Sequence, residues 1–324
     1  MLTGTLHADA GSSYCPVFTS DIVYADRNGR ELKLQILTPQ QPNYRKEDHT
    51  RDGLQKLLSK DLGSEIRWTL FAPVVNPSRF PLIVDVPGSG WAGVTGMEHL
   101  GAMMHFARQG YVTASVEYRG VFTDETAHPA AVQDVKEAIR FLRAHADDFL
   151  IDPERVAVLG DSSGGHTAAF TALSEDEDPY MAGGYRDFSS SVKSCVIFYG
   201  PNDMTNLVRD RIDAGLELRP GEGPYPFEIR ELFRDTYKDD PERHLAEASA
   251  VNLITPGKKM PPFLFLTGDA DPIIPPAQGE RFCRKVIDAG GHAEFYKIVG
   301  GGHGTGCWNE ETLSLVSRFL KATL

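Results

Sequence analysis

Two stretches near the start of the chain alternate apolar and polar residues, DIVYADR and ELKLQIL, and Asn28-Gly29 lies between them. Alternation with a period of two marks a strand with one covered face. Asn-Gly supplies the positive backbone angles of a two-residue turn, so a β-hairpin is expected. A polar stretch at about 39–64 follows, with a helix-like piece at LQKLL, before strand character resumes in WTLFAPV. From residue 81 the pattern changes. PLIVDV is a short continuous apolar run, as in a strand covered on both faces, and YVTASVEY, RVAVLG, SCVIFYG, PPFLFLTG and AEFYKIV read as further strands. Between them lie MEHLGAMMHFARQG, PAAVQDVKEAIRFLRAHA, SSGGHTAAFTAL and QGERFCRKVIDAGG, with a last helix expected from Glu310. In the second of these, Val132, Val135, Ile139, Leu142 and Ala146 recur every three or four residues and form one apolar helical face.

A hairpin followed by repeated strand–helix units predicts an α/β fold. Its central sheet is mixed and mostly parallel, with helices on both faces. The stretch from about 201 to 257 breaks this rhythm, mixing charges, prolines and glycines with Leu216, Tyr225, Phe227, Phe233 and Tyr237. It reads as a compact insertion over the carboxyl edge of the sheet, a lid, because ligands bind at that edge. Residues 1–324 are expected to form a single domain carrying this lid and the polar insertion at 39–64.

Composition narrows the function. A formal charge of −12 disfavours nucleic acid and anionic membranes as partners. No run of eighteen apolar residues is present, so no membrane span is expected. The opening MLTGTLHADAGSSYC has neither a basic leader nor an apolar core, which points to a cytoplasmic protein. Cys15, Cys195, Cys283 and Cys307 are scattered without a CxxC pair, so neither a disulfide framework nor a zinc site is expected.

Candidate chemistry begins at Gly160-Asp161-Ser162-Ser163-Gly164, between the strand RVAVL and the helix after it. This fits G-x-S-x-G, in which a serine at a sharp strand-to-helix turn projects its hydroxyl from the sheet edge. A serine nucleophile needs a base, and the base needs an acid that fixes its tautomer, in the order Ser, acid, His. His303, in Gly300-Gly301-Gly302-His303-Gly304 after the last strand, fits the base. His292 precedes that strand and reads as a solvated turn residue, and His166 reads as a structural neighbour of the elbow. For the acid, FLFLTGDADPIIP offers Asp269 and Asp271. Asp271 is preferred, because Pro272 holds it extended and Asp269 is suited to bonding turn N–H groups. The loop Pro87-Gly88-Ser89-Gly90-Trp91 can aim backbone donors at a developing oxyanion, with Ser89, Gly90 and Ser163 as candidates. Gly88-x-Gly90-x-x-Gly93 also spells a dinucleotide fingerprint, but Trp91 and Pro87 crowd the place a pyrophosphate would need.

The loop PGSGW, the segments FARQGYVTASVEYRG and PAAVQDVKEAIRFLRAHADDFLIDPERVAVLGDSSGGH, and the pair LTGDADPIIP and GGGHG resemble the α/β-hydrolase esterases. The likeness is to hormone-sensitive-lipase-like carboxylesterases and to small acetyl and feruloyl esterases acting on plant polysaccharides. It implies Ser162 as nucleophile, Asp271 as acid and His303 as base, with no metal or cofactor. It also implies a small-molecule ester as substrate. The lid mixes Tyr225, Phe227, Phe233 and Tyr237 with charges rather than presenting one long apolar face, so short acyl groups, acetate to butyrate, or aromatic acids are expected, and an acetylated or feruloylated carbohydrate would suit the resemblance. Where relatives usually carry His-Gly-Gly-Gly-Trp, this chain has Pro87 and Ser89 in place of the histidine and a glycine. A serine peptidase of the same fold and a non-catalytic binding protein remain the alternatives.

Overall fold

The computed structural model describes residues 14–39, 79–122, 126–174, 176, 179–218 and 225–324. The polar insertion, bar its first residue, and WTLFAPV lie outside the described residues. The expected hairpin is present as β1 (Val17–Arg27) and β2 (Arg30–Thr38), with Asn28 and Gly29 both at positive φ. Then come β3 (Phe80–Val86), α1 (Leu100–Ala107), β4 (Val112–Val116), α2 (Ala127–Ala144), β5 (Ile151–Asp161), α3 (Ser162–Leu173) and β6 (Ser194–Phe198). Three short helices follow: α4 (Leu207–Asp213), α5 (Phe227–Phe233) and α6 (Pro241–Glu247). The chain closes with β7 (Phe263–Gly268), α7 (Ala277–Asp288), β8 (Ala293–Ile298) and α8 (Glu310–Thr323).

The eight strands form one sheet in the order β1-β2-β4-β3-β5-β6-β7-β8. The β1/β2 and β2/β4 pairs are antiparallel and the rest are parallel, so the mixed, mostly parallel sheet holds. The strand runs from β3 to β7 are buried along almost their whole length, because two separate apolar clusters cover the two faces. On one face, α2 and α3 pack with Val84, Val158 and Ile197. On the other, Phe106 of α1 and Val316, Phe319 and Leu320 of α8 pack with Ile83, Leu159 and Leu264. At about 25 cal/mol per Å² of apolar area removed from water, these two layers are the chief source of stability.

Helix α2 is covered more completely than its apolar face predicts. Val132, Val135, Ile139, Leu142 and Ala146 are buried as expected, but so are Asp134, Lys136, Glu137 and Arg140. Each polar group has partners. Asp134 accepts from the Arg119 guanidinium at 2.9 Å and from Arg27 at 2.9 Å, Lys136 Nζ donates to the Ser174 carbonyl at 2.9 Å, and Arg140 donates to Gly184 O at 3.0 Å. A buried charge is tolerated only when paired and hydrogen-bonded in this way.

The stretch that breaks the strand–helix rhythm builds a third apolar cluster. Met204, Leu207, Ile229, Leu232, Phe233, Leu245 and Ala248 join Trp91 and Val121 from the loops after β3 and β4, and Ile274 from the loop after β7. Within it, the Arg211 guanidinium, 2% exposed, donates to Glu228 Oε1 at 2.6 Å and to the carbonyl of Ile273 at 2.9 Å. Phe233 packs on His244 with ring centres 4.2 Å apart and meets the edge of His128 at 5.8 Å.

Candidate active site

Helix α3 starts directly where β5 ends, and the junction has almost no room. A Cβ on Gly164 would lie 1.9 Å from the Val86 carbonyl, and one on Gly160 would lie 2.4 Å from the Gly164 carbonyl. Glycine at both positions lets the strand pass into the helix across the end of β3. Ser162, between them, is held at φ +50°, a left-handed conformation that costs a non-glycine residue about 1–3 kcal/mol. That conformation aims its hydroxyl out of the sheet edge.

Ser162 Oγ lies 2.8 Å from His303 Nε2, and His303 Nδ1 lies 2.8 Å from Asp271 Oδ2. His303 comes from the loop after β8, where Ala270 N donates to Gly301 O at 2.9 Å and ties that loop to the one after β7. Asp271 is 3% exposed, and its second oxygen accepts from Ile273 N at 2.8 Å and Ile274 N at 2.9 Å. Three donors thus fix the carboxylate in place. Asp269 is exposed and accepts from Gly300 N at 2.7 Å, away from the imidazole. Of the other histidines weighed above, the His292 side chain is 64% exposed, and His166 is buried with Nε2 donating to Ala248 O at 2.9 Å. A carbonyl can only accept, so His166 carries its proton on Nε2. Burial lowers its pKa to about 4, and it stays neutral.

The loop after β3 lies against the elbow. Gly88 N donates to Asp161 Oδ1 at 2.5 Å, and Tyr118 OH donates to the Pro87 carbonyl at 2.5 Å. A Cβ on Gly88 would meet the Asp161 carbonyl at 2.5 Å and Ser162 Cβ at 2.8 Å, so only glycine allows this approach. The three candidate oxyanion donors do not stand alike. Ser89 N donates to Ser163 Oγ at 2.8 Å, which withdraws it from a substrate oxygen. The N–H of Gly90 and that of Ser163, in the first turn of α3, have no partner among the described residues. The loop reaches α1 only after several irregular residues, so its glycines do not open a helix as a dinucleotide site requires.

Sequence reasoning passed over the residues behind the elbow. Asp85, fully buried in β3, accepts from Ser115 Oγ at 2.6 Å through one oxygen and from His99 Nδ1 at 2.9 Å through the other. His99 Nε2 lies 3.4 Å from Asp161 Oδ1, and the Trp308 ring covers the imidazole at 4.5 Å. Asp161 Oδ2 accepts from Tyr199 OH at 3.0 Å, which in turn accepts from Trp308 Nε1 at 2.8 Å. Burial alone would push the His99 pKa down. The Asp85 and Asp161 carboxylates outweigh that and raise it to about 11, so His99 is a cation at neutral pH. One signal was available: a carboxylate inside PLIVDV, a run read as covered on both faces, demands a buried partner. Its partner, fourteen residues on, has no motif to mark it.

Among the described residues no cluster of histidine, cysteine or carboxylate groups is arranged to hold a metal, and no helix is long and apolar enough to cross a membrane.

The chain is similar to proteins named as esterases. Esterase LipQ of Mycobacterium tuberculosis is 29% identical over 227 residues, covering 69% of this chain and 50% of that protein. The chain spans about half the length of curated relatives it matches, such as the esterases LipQ and LipC. Among solved structures, a truncated carbohydrate esterase from gut microbiota superposes with a TM-score of 0.70 at 22% identity, covering 97% of this chain and 98% of the other. The Est2 esterase of Thermogutta terrifontis superposes with a TM-score of 0.65 at 22% identity, covering 95% of this chain and 92% of that one. Est2 has also been solved with propionate and with butyrate bound. At this identity the two structures speak for the fold. The family model termed BD-FAE matches residues 69–286, which include the Pro87–Trp91 loop, Ser162 and Asp271, and on that match the chain belongs to the BD-FAE family of α/β hydrolases.

Proposed function

We propose that this protein is a serine carboxylesterase with Ser162 as nucleophile, His303 as base and Asp271 as the acid that orients it. The observation that carries the reading is the unbroken hydrogen-bonded line from Ser162 Oγ through both nitrogens of His303 to Asp271. Asp271 keeps the proton of the neutral imidazole on Nδ1, so Nε2 faces Ser162 as an acceptor. Ser162 Oγ attacks the ester carbonyl carbon as its proton passes to Nε2. The tetrahedral oxyanion is held by the N–H groups of Gly90 and Ser163, at the positive end of the α3 dipole. Collapse expels the alcohol, which takes the proton from His303, and leaves an acyl group on Ser162. Water, deprotonated by His303, then releases the acid.

Short acyl groups, acetate to butyrate, are the proposed substrates, with an acetylated or feruloylated carbohydrate as the natural alcohol side. Two observations support this: structural neighbours are named as a carbohydrate esterase and as an esterase binding propionate and butyrate. The helices from 207 to 253 form a cap whose apolar side chains are engaged in packing. Phe233 is taken up by His244 and His128, and no long apolar groove is built from it. Tyr225 and Phe227 are half-buried, and the Tyr237 side chain lies outside the described residues.

The test is covalent labelling with a fluorophosphonate followed by peptide mapping. Ser162 should carry the label, and Ser162→Ala should lose both labelling and p-nitrophenyl acetate hydrolysis while keeping its circular dichroism. Label on another residue, or a Ser162→Ala variant that still turns over ester, refutes the assignment. Faster cleavage of a peptide amide than of the ester would favour the peptidase alternative.

A further inference from the structure

Behind the nucleophile lies a set of charges that the acyl-transfer mechanism does not use. Asp85 and Asp161 sit at the ends of neighbouring strands, β3 and β5, where two like carboxylates would repel. His99 lies between them, with one ring nitrogen toward each. Asp161 has a second duty: it is bonded to Gly88 N of the oxyanion loop and stands next to Ser162 in the chain.

We propose that His99 is a positioning residue, a cationic clamp that holds Asp161 in place and, through Asp161, fixes the oxyanion loop against the nucleophile elbow. The proposal rests on the hydrolase reading above and adds a residue that never touches substrate. Every polar contact of the clamp points the same way. Asp85 is anchored by Ser115 Oγ, so His99 has a fixed base from which to hold Asp161. Asp161 Oδ1 then faces both His99 Nε2 and Gly88 N, while Oδ2 takes the Tyr199 hydroxyl. Tyr199 packs on the His303 ring at 4.8 Å, so the same carboxylate braces the floor beneath the base. Trp308 covers the open face of the imidazole and closes the set from water, and the side chain of His99 is only 11% exposed. Without the cation, the buried Asp85 and the half-buried Asp161 carboxylates are left facing each other, and Asp161 would turn away from Asp85. Gly88 N would follow it or lose its acceptor. The donors of Gly90 and Ser163 would no longer converge on one oxygen, although the surface that receives the substrate would be unchanged. Misplacement of that kind lowers turnover more than binding.

Full-length protein is assayed with p-nitrophenyl acetate, and fluorophosphonate titration counts only correctly folded sites. His99→Gln keeps a donor but removes the charge. It should lower kcat per titrated site by about tenfold or more while KM changes by less than about threefold. Adding Asp85→Asn should remove the uncompensated charge and return at least about threefold of the lost kcat, a coupling of the sign expected for direct partners. A merely structural histidine would give no such recovery, since a second substitution in the same site would only add damage. The wild-type chain gives a measurement independent of any variant. In ¹⁵N-correlated NMR at pH 8, the His99 imidazole should show both nitrogens protonated. Neutral imidazole shifts for His99 at that pH overturn the proposal, as does a kcat within about twofold of wild type in His99→Gln. Failure of Ser162 to label would instead bring down the esterase reading and leave the charge state of His99 standing.

Discussion

Asp271→Asn separates orientation of the base from stability of the fold. The wild-type carboxylate accepts three hydrogen bonds, from Ile273 N, Ile274 N and His303 Nδ1. An asparagine of the same shape can turn its carbonyl oxygen to the two backbone donors, so the loop keeps its anchor and the stability loss should stay within about 1 kcal/mol. Its amide then faces His303 as a donor. The imidazole must shift its proton to Nε2, where it points at Ser162 and can no longer accept the serine proton. The expected loss in kcat is about 10⁴-fold, or about 5.4 kcal/mol in the barrier. Asp269→Asn is the internal control, because its asparagine oxygen still accepts from Gly300 N and nothing of Asp269 touches the imidazole. It should change kcat by less than about threefold. Initial rates on p-nitrophenyl acetate, with urea unfolding of each variant, make the comparison. Equal losses in the two variants, or a larger loss in Asp269→Asn, would refute the reasoning. So would a drop in unfolding free energy large enough to account for the lost activity.

Gly164→Ala should destabilise the fold by about 3 kcal/mol, because its Cβ would enter the Val86 carbonyl at 1.9 Å and force β3 from α3; chemical denaturation within about 1 kcal/mol of wild type would count against that crossing. Acid should weaken the fold through His128 and His166, whose pKa values burial lowers to about 3 and about 4. Both are neutral in the fold, and they protonate first in the unfolded chain, near 6.5. Stability is therefore fully present above about pH 6.5 and falls as the pH drops toward the folded values, by at most about 1.4 kcal/mol per pH unit for each histidine. His128→Phe, which can keep the ring contact to Phe170, should flatten that slope; an unchanged slope between pH 6 and 4.5 would refute its origin. Across p-nitrophenyl esters, kcat/KM should peak between acetate and butyrate, since each further CH₂ gains about 0.8 kcal/mol only where it is enclosed. A maximum at C10 or longer would remove the short-acyl reading.

Much of this architecture could be read from the chain because its central strands are covered on both faces and most of its helices on one. Continuous runs such as PLIVDV and RVAVLG differ in period from the helix after His128, and the strand-to-helix junction places G-x-S-x-G without a structure. The proline after Asp271 singled out the carboxylate that the fold sets against His303, while Asp269 bonds Gly300 N. What stayed hidden depends on distance across the sheet rather than along the chain. Nothing local announces that Arg119 and Arg27 cover Asp134, so α2 looked half-exposed when it is buried nearly all round. Ser89 was a reasonable oxyanion donor by position, but its N–H turns to the Ser163 hydroxyl, a partner 74 residues away. His99 and Asp85 belong to the same class: each is an ordinary letter until the fold sets them beside Asp161.

Arg211 carries a consequence for anyone who would exchange parts of this protein with those of a relative. Its guanidinium holds Glu228 within the helical insertion and the carbonyl of Ile273 beyond β7 at the same time. Ile273, in turn, presents its N–H to Asp271. The natural cassette for recombination therefore runs past the last helix of the insertion to about residue 274. A chimera cut at the insertion's own borders would bring in a foreign surface while severing the brace behind Asp271. A chimera that keeps Arg211, Glu228 and the Ile273-Ile274 turn as one inherited block should exchange the rest of the insertion's surface while leaving the hydrogen bonds to Asp271 intact.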